Sequence, residues 1–184
     1  MVPLLDLWIP VLVSAVVVFF ASSIIHMALK YHRKDLLGVP QEETIRSALK
    51  GTAPGQYMFP YCADMKEMRS EVMQKKYIEG PVGIVTLRDP GMINMGPLLT
   101  QWLIYCVVIS LICGYIAHAT LPVGTEYLKV FQVVGTTAWL GYGGSCISQG
   151  IWQSRPWSTV SKDLFDGLVY GLLTAGVFGW LWPR

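Results

Sequence analysis

Apolar residues gather in four long runs, and one polar stretch separates the first run from the other three. The first run, Leu7 to Leu29, reads LWIPVLVSAVVVFFASSIIHMAL. About 20 apolar residues suffice to cross a bilayer as a helix. Its valines and isoleucines are mediocre helix formers in water. In lipid the backbone must satisfy its own hydrogen bonds, and that demand outweighs propensity. Pro10 falls in the first turns, where proline costs least. The other runs span Leu98 to Ala119, Tyr127 to Ile151 and Leu164 to Trp182. The short joint TLPVGTE makes the second and third antiparallel neighbours, and WQSRPWSTVSKD joins the third to the fourth. The pattern predicts an all-α membrane protein: four transmembrane helices, with a helix-rich mixed cytoplasmic segment between spans one and two.

That segment, residues 30–97, is too long for a featureless loop. VPQEETIRSALKG predicts a short helix, with Pro40 at its start, acidic residues in its first turn and Lys50-Gly51 at its end. CADMKEMRSEVMQKKYIEG predicts a second helix ending at Gly80. GPVGIVTLRDPG is a β-branched run between turn signals and predicts a strand, with Tyr57–Phe59 as its pairing partner.

Composition agrees with a membrane class. The chain of 184 residues is 53% hydrophobic and 14% charged, against about 25% charged for soluble domains. Asp6 stands where a signal peptide would carry positive charge, so the first run reads as an uncleaved helix. Orientation follows lysine and arginine near span ends. Residues 30–97 hold most of them, with Lys30, Arg33 and Lys34 as the anchor of span one; Arg155 and Lys162 follow span three. Both termini are therefore expected outside, with the polar segment and the last loop inside. Trp8, Trp180 and Trp182 then lie at the outer interface and Trp102, Trp152 and Trp157 at the inner one, as tryptophan prefers. Trp139 alone is mid-span. Basic residues of the polar segment alternate with acidic ones, which argues against nucleic acid and for a solvated face touching lipid headgroups.

Membrane helices associate through close packing rather than oiliness. Span four carries Gly167, Gly171, Ala175 and Gly179 at four-residue steps, and span three carries Thr137, Gly141 and Ser145 at the same step. Two readings stay open: the stripes pack spans three and four together, or they meet a partner subunit or second copy. The four cysteines, Cys62, Cys106, Cys113 and Cys146, form no C-x-x-C pair and read as free thiols.

Candidate chemistry is sparse. His26 and His32 are six residues apart, about 240° around a continuous helix, so one helix cannot aim both at one metal. His26 and His118 fall near opposite ends of their spans, too far apart in depth for a bis-histidine haem. No H-E-x-x-H, haem-attachment, phosphate-loop or G-x-S-x-G motif occurs, and no metal site is expected. One set does share a depth: His26, Asp166, Tyr105, Ser148 and Gln149, with Arg155 nearby. Ionisable groups at membrane depth are functional candidates. The competing reading is structural: Asp163 and Asp166 favour the positive end of a helix that Ser161 caps.

The first and last spans, LWIPVLVSAVVVFFASSIIHM and IWQSRPWSTVSKDLFDGLVYGLLTAGVFGWLW, resemble a group of small bacterial four-helix membrane proteins of unknown function. The resemblance covers roughly a third of the chain, and the long inner segment departs from it. It implies a bacterial inner-membrane location, and no known activity carries over from it. The leading expectation is a non-enzymatic accessory or scaffolding subunit packing against a larger membrane complex or a second copy. The alternatives are a site for quinone, lipid or haem at the inner leaflet, centred on His26 and Asp166, and an oligomeric transporter or channel.

Overall fold

Seven α-helices and one two-stranded sheet form along the chain, in a computed structural model that describes all residues Met1–Arg184. The chain divides into two units: Met1–Leu36 with Asn94–Arg184, and Leu37–Ile93. In the first unit, a 3-10 turn (Leu4–Leu7) leads into α1 (Trp8–Met27), and a second 3-10 turn follows at Lys30–Lys34. The second unit holds α2 (Glu42–Ala48), β1 (Gly55–Phe59), α3 (Met65–Met68), α4 (Glu71–Glu79) and β2 (Gly83–Leu87). The first unit then resumes with α5 (Met95–Thr120), α6 (Tyr127–Trp152) and α7 (Trp157–Trp180).

The four long helices stand where the apolar runs predict them, but they are not alike. Two segments, Leu4–Met27 and Met95–Thr120, are long and apolar enough to cross a membrane. This supports two spans where the sequence reading expects four. The helices α6 and α7 have the length, yet glycine, threonine, serine and glutamine dilute the first, and Lys162, Asp163 and Asp166 the second. The start of α7 also differs from expectation. It begins at Trp157, directly after Pro156, and not at the apolar run. Nothing in Trp157–Lys162 breaks a helix, so the helix extends back to the proline.

The closest helix pair is α6 with α7. A Cβ placed on Gly167 would lie 2.9 Å from the Gly143 backbone, and one on Gly171 would lie 3.1 Å from the Gly135 carbonyl oxygen. Gly179 approaches the Tyr127 ring so closely that a Cβ would fall 2.7 Å from it. The small-residue row of α7 is thus used inside the chain. Its counterpart on α6 is not the expected one. The facing residues are Tyr127, Gly135, Trp139 and Gly143, whereas Gly141 meets Ile109 of α5. Ser145 is exposed and Thr137 bonds its own helix at the Val133 carbonyl. The two rows differ by two residues, about 200° around α6.

Buried side chains form two clusters in this unit. One joins Val2, Leu7 and Val11 to Cys113, Ala117, Val134 and Phe178. The other joins Ala15, Val18 and Ile25 to Cys106 and Tyr170, flanked by Tyr31, Trp102 and Tyr142. Polar cross-links run between helices: Ser14 Oγ donates to Ser110 Oγ at 3.0 Å, and Trp102 Nε1 donates to Ser22 Oγ at 2.7 Å. All four cysteines are free.

In the second unit β1 and β2 pair antiparallel, with Tyr57 opposite Val85 and Phe59 opposite Gly83. The single helix expected over residues 62–80 is two. Ser70 takes an extended conformation and accepts from the Met73 amide, capping α4, as Asp64 caps α3 through the Glu67 amide. Of residues 37–93 only Met73 is buried.

Candidate functional site

Three elements bring ionisable side chains together at one end of the long-helix unit. His26 sits one residue before the end of α1. Helix geometry fails at Leu29, whose backbone is extended (φ −83°, ψ 131°), and the chain folds into the 3-10 turn Lys30–Lys34. That reversal carries His32 back over His26, with ring centroids 4.6 Å apart. The expected separation of the two histidines rested on one continuous helix; the break at the end of α1 removes it. The helix α7 supplies Lys162, Asp166 and Tyr170, four residues apart and therefore on one face.

Asp166 is the centre. It is 3% exposed and lies well past the first turn of α7, which holds no acidic residue. The expectation that it serves a helix start is therefore corrected, and Ser161 is no cap: its hydroxyl bonds the Ser158 carbonyl within the helix. Tyr31 donates its hydroxyl to Asp166 Oδ1. His32 Nε2 donates to Asp166 Oδ2 at 2.8 Å, and His32 Nδ1 donates to Asp35 Oδ2 at 2.6 Å. Lys162 Nζ closes the circuit, donating to Asp35 Oδ1 at 2.5 Å and to the Tyr31 carbonyl at 2.7 Å.

A ring bonded through both nitrogens to carboxylates is held as imidazolium. Burial works against the charge on His32, but Asp35 and Asp166 outweigh it and raise its pKa above the ordinary 6.5. Burial likewise opposes ionisation of Asp35, and Lys162 with His32 outweighs it, leaving the carboxyl below the ordinary 3.8. Burial first, then the bond to Asp166, pushes the Tyr31 phenol up, so it stays a donor. Asp35 and Asp166 thus face Lys162 and His32, two acidic side chains against two basic ones.

His26 is bound less closely. Its side chain is 52% exposed, and its Nε2 lies 3.8 Å from Asp166 Oδ2 and 3.5 Å from the Tyr170 hydroxyl. His26 and Asp166 open onto a cleft of about 180 Å³, lined also by Trp102, Tyr142, Gln149 and Arg155. Arg155 does not reach Asp166. It pairs with Asp163 at 2.5 Å and donates to Gln149 Oε1 at 2.9 Å.

Of the residues expected at one depth, His26, Asp166, Gln149 and Arg155 share this cleft. Tyr105 does not: it is turned to α6, donating to the Gly141 carbonyl at 2.6 Å. Ser148 is exposed and bonds the Ser145 carbonyl, while Ser145 lines the cleft. His118 bonds the Val2 carbonyl at 2.5 Å and takes no part. Lys30, Arg33 and Lys34 are exposed. Sequence reasoning missed Tyr31, His32, Asp35, Lys162 and Tyr170. The four-residue step from Lys162 through Asp166 to Tyr170 was a readable signal; the fold-back that delivers the other three was not.

No protein family, curated protein or solved structure matches this chain.

Proposed function

We propose that the protein is an integral membrane helix bundle that binds a small ligand at the polar cluster around Asp166. Membrane insertion is supported by the outer faces of α1 and α5. Leu12, Val16, Phe20 and Ile24 of the first, and Ile104, Val108, Leu111 and Ile112 of the second, are exposed although apolar. Such continuous apolar faces suit lipid and not water. The helices α6 and α7 would complete a four-span bundle, packed against each other through their small residues. The lysine and arginine distribution supports both termini outside and the cluster at the cytoplasmic leaflet, and a bacterial inner membrane is the proposed setting.

The observation that carries ligand binding is a buried carboxylate, Asp166, met by two imidazoles and a phenol beside an open cleft. No buried side-chain nitrogen or oxygen lacks a partner, so packing alone does not call for a ligand. His26 supports one: its Nε2 reaches the Tyr170 hydroxyl at 3.5 Å and stands 3.8 Å from the Asp166 carboxylate, on the cleft side. Native mass spectrometry of the full chain in mild detergent tests this reading. A bound non-lipid species is expected on the wild type and absent on Asp166→Asn. Identical spectra would contradict it.

A second reading, an accessory subunit that docks a larger complex, is favoured by a separate observation. The unit Leu37–Ile93 buries one residue, Met73, while Leu37, Tyr61, Val72, Ile78 and Met92 are at least two-thirds exposed. A segment of this size without a core needs a surface to lie on. The glycine row of α7 no longer supports this reading, because α6 covers it.

A further inference from the structure

We propose that His26, His32 and Asp166 bind one divalent first-row transition-metal ion. The inference rests on the reading that this cluster takes a ligand, and it names the class. One ligand atom from each of His26, His32 and Asp166 lies within 4.8 Å of the other two. Three donors bound to one such ion at about 2.0–2.2 Å stand roughly 3.0–3.5 Å apart. The observed separations from Asp166 Oδ2, 2.8 Å to His32 and 3.8 Å to His26, bracket that range. Half-exposed His26 has room to close the longer one.

A second observation points the same way. Ligating histidines characteristically donate their other ring N–H to a carboxylate, which fixes the ring and its tautomer. His32 does this already, with Nδ1 on Asp35 Oδ2 at 2.6 Å and Asp35 held in turn by Lys162. The free oxygen of Asp166 is likewise held, by Tyr31. Two imidazoles and one carboxylate form a mixed nitrogen–oxygen set, which suits zinc, cobalt or iron rather than magnesium or calcium. Three protein donors leave a further coordination position, and His26 and Asp166 both line the cleft from which it would be filled. Binding is an exchange: the proton on His32 Nε2 is released to water as the ion takes its place between that nitrogen and Asp166. Lys162 remains on Asp35 and does not compete.

The test is Co²⁺ titration of full-length, chelator-treated protein without a polyhistidine tag, read by visible absorption, with bound metal and bound organic species counted in parallel. One equivalent of Co²⁺ with ligand-field bands is expected, displaced by Zn²⁺. His26→Ala, whose side chain is half exposed, should abolish the bands with the helical circular dichroism unchanged. Asp35→Asn should weaken binding about 10–100-fold while the three ligands remain. Binding that His26→Ala leaves intact would place the ion elsewhere and overturn the proposal. No metal but a bound organic molecule would overturn the metal and leave the ligand site standing. Neither metal nor organic species would overturn both.

Discussion

Asp166, itself buried, accepts from Tyr31 at one oxygen and from His32 at the other, so its removal leaves a phenol and one ring N–H without their acceptor, while Asp35 still holds the other ring nitrogen. Breaking a buried pair from one side typically costs about 3–5 kcal/mol. Asp166→Ala should lose stability on that scale in denaturant unfolding, whereas His26→Ala, half exposed and loosely held, should lose less than about 1 kcal/mol. Equal losses would show that His26 belongs to the packing. Both residues were legible in the sequence, each being an ionisable group inside an apolar run. His32 was not. Its place depends on where α1 ends, and neither glycine nor proline marks that end: the residues after Met27 are Ala28 and Leu29. An extended backbone at Leu29 decides it, and that is settled by what the turn packs against.

Between elements, the decisive contact is backbone to backbone. Gly167→Ala would drive its Cβ to 2.9 Å from the Gly143 backbone, so α6 and α7 would have to part. The expected loss is about 1–3 kcal/mol. Gly144→Ala is the control: its Cβ meets nothing within 4 Å, and within a helix it should gain about 0.5–1 kcal/mol. Thermal unfolding of the two variants checks the difference in sign. The row on α7 was legible because its four small residues share one face. The row on α6 lies two positions from the one its small residues predict, because small residues also line its other side. What faces α7 there mixes glycine with Trp139 and Tyr127, so the spacing of small residues does not mark it. The break between α3 and α4 was legible in principle, since Ser70 is a strong cap, but it lies inside an otherwise helical pattern.

For the whole molecule, the four long helices and the extra unit followed from hydropathy, and the less apolar α6 and α7 are also the pair that packs most closely. If Leu37–Ile93 docks a protein, a photo-crosslinker at Ile78, 86% exposed, should give a protein adduct in native membranes. Adducts to lipid alone would leave that surface to the bilayer. A binding site and a packing cluster differ most at His26, which touches the cleft yet holds little of the fold. The most direct measurement is therefore the amount of metal or organic species retained per chain by His26→Ala against the wild type, in preparations matched for melting temperature. The wild type should retain a stoichiometric amount and the variant almost none. Equal retention by the two, or none by either, would contradict a ligand site at Asp166.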